Sequence, residues 1–165
     1  MKTRGEAVAS LYEFVDETGQ DHYHVEKHLT SMVPFVQQKT GFDKPCSIVL
    51  VDDAENARDP LGLTAHYNPS DHVIVVYTTG RHPKDILRSI SHELVHHAQN
   101  CRGALVGAQM GNDPQYAQND EHLREMEREA YEVGNLAFRD WEDGEKNSQE
   151  SMMENWEKYI QEEMK

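Results

Sequence analysis

A chain of 165 residues is long enough for one domain with a real hydrophobic core. Its net charge of −14 sets it against polyanions, so nucleic acid and anionic membrane surfaces are excluded as partners. Two cysteines, Cys46 and Cys101, make no disulfide framework, and no apolar run reaches the ~20 residues that cross a bilayer. Met1–Glu6 carries no apolar signal segment, so a soluble, cytoplasmic protein with free or buried thiols is expected. A metal-bound Cys101 thiolate is the less favoured alternative to a buried one.

Residues 6–18 read as an amphipathic helix, with Val8, Leu11, Tyr12 and Val15 at helical spacing and Gly19 at its end. A second helix is expected over about 22–39. Its apolar stripe is Val25, Leu29, Met32, Val33 and Val36, with Pro34 kinking or splitting it and Gly41 closing it. His24 and His28 stand four apart there, so a second metal site is conceivable. No carboxylate lies between them, however, and packing or surface roles are the better reading.

The period then changes. Ser47–Val51 is β-branched and reads as a strand, residues 52–61 as a loop. Leu63–Tyr67 and His72–Tyr77 form a β-hairpin around Asn68-Pro69-Ser70-Asp71. Its second arm, Val73-Ile74-Val75-Val76, is expected to be buried on both faces, and the first to be the sheet edge.

Pro83 suits the first position of a helix, and Leu87, Ile90, Leu94, Ala98 and Cys101 then mark a buried stripe that Gly103 can end. On this helix lies His92-Glu93-Leu94-Val95-His96, an H-E-x-x-H sequence. Residues four apart on a helix lie about 40° from each other, so both imidazoles can hold one cation from one side. Glu93, offset by about 100°, can reach a water on that cation and act as its base. His97 is in the wrong register for a ligand and is read as a supporting or surface residue.

Residues 103–119 form an irregular loop. A helix follows over about 120–140, with Leu123, Met126, Ala130, Val133, Leu136, Ala137 and Phe138 apolar and Glu125, Glu127, Glu129 and Glu132 acidic. After a break at Trp141–Gly144, residues 148–164 form a last amphipathic helix on Met153, Trp156, Ile160 and Met164. It docks on the domain or, alternatively, binds a partner or inhibits the site.

H-E-x-x-H followed by a helix bearing Met126-Glu127-Arg128-Glu129-Ala130-Tyr131 resembles the gluzincin branch of the zincin metallopeptidases, over roughly residues 63–140. The likeness is nearest to small bacterial and phage zincins. It implies an α+β, zincin-like fold, in which a small mixed or antiparallel sheet with a hairpin packs on an active-site helix. One domain spans 1–165: N-terminal helices in 1–44, a catalytic core in 45–140 and a C-terminal helix in 141–165. The resemblance further implies one Zn²⁺ per chain on His92, His96 and Glu129, the Glu just before Ala, with Glu125 as the alternative third ligand. Where larger gluzincins carry an Asp that orients a metal histidine, this chain has Val133, so Glu132 or a backbone carbonyl would take that part. A third histidine of metzincin type is absent, since Arg102 holds that position.

The activity implied is hydrolysis of peptide bonds by a zinc-bound water with Glu93 as general base. Tyr116, His122 or Tyr131 would hold the oxyanion. A peptide or protein substrate would lie along the edge arm Leu63–Tyr67, with His66 and Tyr67 lining the cleft. The alternative is a catalytically silent zincin-fold protein that binds metal or a partner in regulation or assembly.

Overall fold

The computed structural model describes residues 11–59, 62–105 and 121–163, the last sixteen of these by their backbone alone. The architecture is α+β. Strand β1 is Tyr12–Asp16, helix α1 Tyr23–Thr40, strand β2 Cys46–Val51 and short helix α2 Ala54–Arg58. Strand β3 (Ala65–Asn68), strand β4 (Val73–Tyr77), helix α3 (Pro83–Cys101) and helix α4 (Glu121–Glu163) follow. The sheet is mixed, in the order β1-β2-β4-β3. β1, β2 and β4 run parallel, and β3 returns antiparallel on β4.

β1 replaces the helix expected over the described part of 6–18. Tyr12, Phe14 and Val15 favour strand. Pairing them in register with Cys46, Ile48 and Val49 satisfies a backbone edge that a local helix would leave open. Gly19 still adopts a positive φ of 73°, in the turn after a strand rather than at a helix end. Val8 lies outside the described residues.

In α1 the five stripe residues are all buried, and Gly41 closes the helix with φ 78°, its N–H donating to the Gln37 carbonyl at 2.7 Å. Pro34 does not split it. A mid-helix proline costs about 3 kcal/mol. Five buried apolar side chains at about 1.5–3 kcal/mol each outweigh that. Within 52–61 the chain forms α2 rather than only loop, with the Asp53 side chain accepting the Asn56 N–H at 3.0 Å as N-cap.

The hairpin forms as expected, its turn held by Asn68 Oδ1, which accepts the Ser70 N–H at 2.9 Å. β3 is the sheet edge. β4, however, is fully buried on one face only. Ile74 and Val76 are in the core, whereas Val73, Val75 and Tyr77 stay half-exposed. The helices cover the face presented by Cys46, Ile48, Leu50, Tyr67, Ile74 and Val76.

Against that face lies α3, which also packs on α1 and α4. Covering on three sides explains why Glu93 to Gln99 are buried without a break, polar residues included. His82 Nδ1 accepts the Lys84 N–H at 3.0 Å ahead of Pro83. At the other end Gly103, at φ 82°, donates to Asn100 and Ala104 N–H reaches Gln99 O at 2.9 Å, a paired left-handed cap.

α4 runs unbroken through Trp141–Gly144, so the expected last helix is its continuation. A lone glycine costs a helix only about 1 kcal/mol. Buried Trp141, whose Nε1–H donates to Ser31 Oγ at 2.9 Å, anchors the helix to α1 just before it. The side chains of 148–164, and with them the expected stripe on Met153, Trp156, Ile160 and Met164, lie outside the described residues. Among the described residues no helix is long and apolar enough to cross a membrane.

Candidate metal centre

α3 and α4 cross where each offers little side chain. A Cβ on Gly134 would stand 3.0 Å from His92 Cα, and Ser91 Oγ–H donates to the Gly134 carbonyl at 2.8 Å. Ala130, one turn earlier, is fully buried. Counting back seven residues from Gly134, two helical turns, reaches Glu127, which therefore faces α3 as well.

At this crossing the carboxylate of Glu127 spans both motif imidazoles. Oε1 lies 2.8 Å from His96 Nε2, and Oε2 lies 3.6 Å from His92 Nε2. One ligand atom from each of His92, His96 and Glu127 falls within 4.8 Å of the others. His96 Nε2 is buried and faces the Glu127 carboxylate. Glu93 Oε2, on a residue only 6% exposed, has no hydrogen-bond partner among the described residues. An orphaned buried polar atom costs roughly 1–3 kcal/mol. Two imidazoles and one carboxylate are the donor set of a three-ligand zinc site with an open position, so the residues fit such a metal.

The electrostatics follow the packing. Burial raises the Glu93 carboxyl above the usual range, outweighing the nearby imidazoles. Burial would also raise Glu127, but contacts with His92 and His96 prevail and hold it well below the ordinary carboxylate range. For His96 burial acts downward, and the carboxylates of Glu127 and Glu93 more than reverse it.

Glu129, expected as third ligand, is not brought to the histidines. Two residues along a helix is about 200° of rotation, and Glu129 lies beside the C-terminal end of α3. There Arg102 Nη2 donates to its Oε1 at 2.6 Å and Gln99 Nε2 at 2.9 Å. Glu125 and Glu132 are exposed. The group at His96 Nδ1 is neither Glu132 nor a backbone carbonyl but the side-chain amide oxygen of Gln99, at 2.8 Å.

His97 is not a surface residue. It is fully buried on the sheet side of α3. Its Nε2–H donates to the Lys44 carbonyl at 2.6 Å, leaving Nδ1 to accept from Tyr67 OH at 2.7 Å. Tyr67 is thus core and not cleft, as is consistent with its 1% exposure. His66, next to it in the strand, alternates to the face away from α3 and pairs with Tyr77. Cys101 Sγ lies 3.7 Å from His97 Nε2, on that same side of α3, and burial pushes the Cys46 thiol up to about 12. His28 packs edge-on against Trp141, and the only cluster with metal-ligand geometry among the described residues is that of His92, His96 and Glu127.

Of the three expected oxyanion donors, Tyr116 lies outside the described residues. His122 donates through Nε2 to the Ala104 carbonyl at 2.7 Å. Tyr131, one turn beyond Glu127, is 61% exposed, with its ring centroid 4.8 Å from that of His92.

Glu127, Gln99 and Gly134 were not singled out from the sequence. The signal for Glu127 was present: it is the one acidic residue in the buried α4 series Leu123, Ala130, Gly134, Ala137, Phe138 and Trp141, at the 3–4 spacing that continues it. Comparison with protein-family models, curated proteins and solved structures finds no match to this chain.

Proposed function

We propose that this chain is a zinc-dependent hydrolase of peptide bonds, with His92, His96 and Glu127 as metal ligands and Glu93 as general base. One observation carries the reading. A buried carboxylate, that of Glu93, with one oxygen unpartnered among the described residues, sits on the same helix turn as two imidazoles that share a third, acidic neighbour. A site that served only to bind a metal would have no use for that carboxylate.

Zinc bound there would supply a Lewis acid that activates water and polarises a carbonyl. The chain's own residues supply the rest. Glu93 takes a proton from the attacking water as its oxygen bonds to the carbonyl carbon. It then delivers that proton to the amine nitrogen as the C–N bond breaks, and ends the cycle ionised as it began. Burial, by raising the Glu93 carboxyl, makes it a better base than an exposed glutamate. Tyr131, exposed beside His92, is the candidate donor to the developing oxyanion. β3, the sheet edge among the described residues, is the strand to which an extended peptide would add.

The test is cleavage of an unfolded protein and a mixed peptide pool by zinc-loaded wild type and Glu93→Gln. Loss of cleavage by at least about 100-fold with zinc retained is expected. Equal cleavage by the two proteins would overturn the assignment of Glu93.

A further inference from the structure

The geometry points to a relay, Glu129–Gln99–His96, that fixes which nitrogen of His96 is free to bind a metal and strengthens it as a donor. This rests on the metal reading above for its purpose, but the relay itself can be tested without metal.

The buried Gln99 amide is oriented by its surroundings. On one side stand the Met126 carbonyl and Glu129 Oε1, each 2.9 Å from Nε2, and both can only accept from Nε2–H. The amide nitrogen therefore belongs on that side, and Oε1 faces His96 Nδ1 at 2.8 Å. An amide oxygen only accepts, so Nδ1 carries a proton and donates it. Nε2, 2.8 Å from Glu127 Oε1, is then the nitrogen turned to the metal position.

Glu129 gives the relay its charge. A carboxylate that accepts from an amide N–H polarises the amide and makes its oxygen a stronger acceptor. That pull reaches the imidazole one group removed, where many metal sites place the carboxylate directly on the histidine. Arg102 holds Glu129 in place through Nη2 at 2.6 Å, from the residue just past the end of α3. The acidic residue that the gluzincin resemblance assigns to the metal is thus given a positioning part behind a ligand.

The decisive measurement is the ring ¹H–¹⁵N spectrum of His96 in metal-free protein, which reads whether Nδ1 carries a proton shielded from exchange with water. Wild type is expected to show a slowly exchanging Nδ1–H. Gln99→Met, of similar length but with no amide acceptor, should lose that protection. Zinc affinity, read against a competing chelator, should fall roughly 10–100-fold in Gln99→Met. It should fall less in Glu129→Gln, with no further loss when both are combined. Exchanging the two groups, Gln99→Glu with Glu129→Gln, should restore both the protected Nδ1–H and the affinity, which guards against misfolding of the single variant. No proton on Nδ1 in wild type, or one equally protected in Gln99→Met, would overturn the relay. So would abolition of zinc binding by Glu129→Gln, which would make Glu129 a ligand. Wild type with the protected Nδ1–H but no zinc affinity would leave the relay standing and overturn the hydrolase reading instead.

Discussion

Glu127 Oε1 lies 2.8 Å from His96 Nε2, whereas Glu129, two residues further along the same helix, meets Arg102 Nη2 at 2.6 Å. One helix thus sends two carboxylates to two neighbours on α3. The face carrying Ala130 and Gly134 goes to the histidine pair, and the flank goes to the end of the helix. Which acid serves which neighbour follows from rotation about α4, and that rotation is set by packing at Gly134.

Gly134→Val should therefore damage both fold and site. Even one added carbon would stand 3.0 Å from His92 Cα, a backbone atom that cannot turn aside. Overpacking of this kind costs about 1–3 kcal/mol, more than the roughly 0.5 kcal/mol that a helix gains on replacing Gly by Val. Urea unfolding should show the loss. Zinc affinity should fall with it, because α4 must retreat and carry Glu127 from His96.

Removing the charge of Glu93 should stabilise the metal-free protein. Its folded-state pKa is raised by burial, so the folded chain holds this proton more tightly than the unfolded one. Stability from this group is therefore fully present below the unfolded value, about 4.3, and is lost as pH rises towards the folded value. Glu93→Gln escapes that loss. We expect a gain of about 1 kcal/mol at neutral pH, a few degrees in Tm, alongside loss of hydrolysis. Thermal unfolding of both proteins at pH 4 and pH 7.5 checks this: the difference should be small at pH 4 and open at pH 7.5.

Metal affinity should rise with pH. His96 has a raised pKa because the carboxylates of Glu127 and Glu93 overcome the effect of burial, and a metal must displace its proton. Below that raised pKa one proton leaves per metal bound, so affinity should climb about tenfold per pH unit and then level off. Calorimetry in buffers of different protonation enthalpy counts the proton directly. A flat profile between pH 5.5 and 8 would mean that His96 is not a ligand.

Much of this was legible in the residue pattern, for reasons that differ by element. α3 announced itself by Pro83, a clean 3–4 stripe and Gly103, and the hairpin by the turn chemistry of Asn68–Asp71. These signals are local. β1 was misread because its aromatic and β-branched residues also fit a helical spacing, and only the distant edge of β2 decides between the two. The continuity of α4 was hidden for the same reason, since the anchor of Trp141 is Ser31 on another helix.

In the site, His92, Glu93 and His96 sit together because four residues on a helix bring them together. The third carboxylate required knowing how α4 is rotated against α3. Four glutamates within eight residues give no rotation by themselves, and Ala130 and Gly134 do so only once their role as contact residues is recognised.

The most direct test of the central claim is the zinc content of protein purified without chelator, for wild type, Glu127→Ala and Glu129→Ala. One zinc per chain in wild type, lost in Glu127→Ala and retained at lower affinity in Glu129→Ala, is the predicted result. Zinc lost from Glu129→Ala but kept in Glu127→Ala, or no zinc in wild type even after its addition, would contradict it.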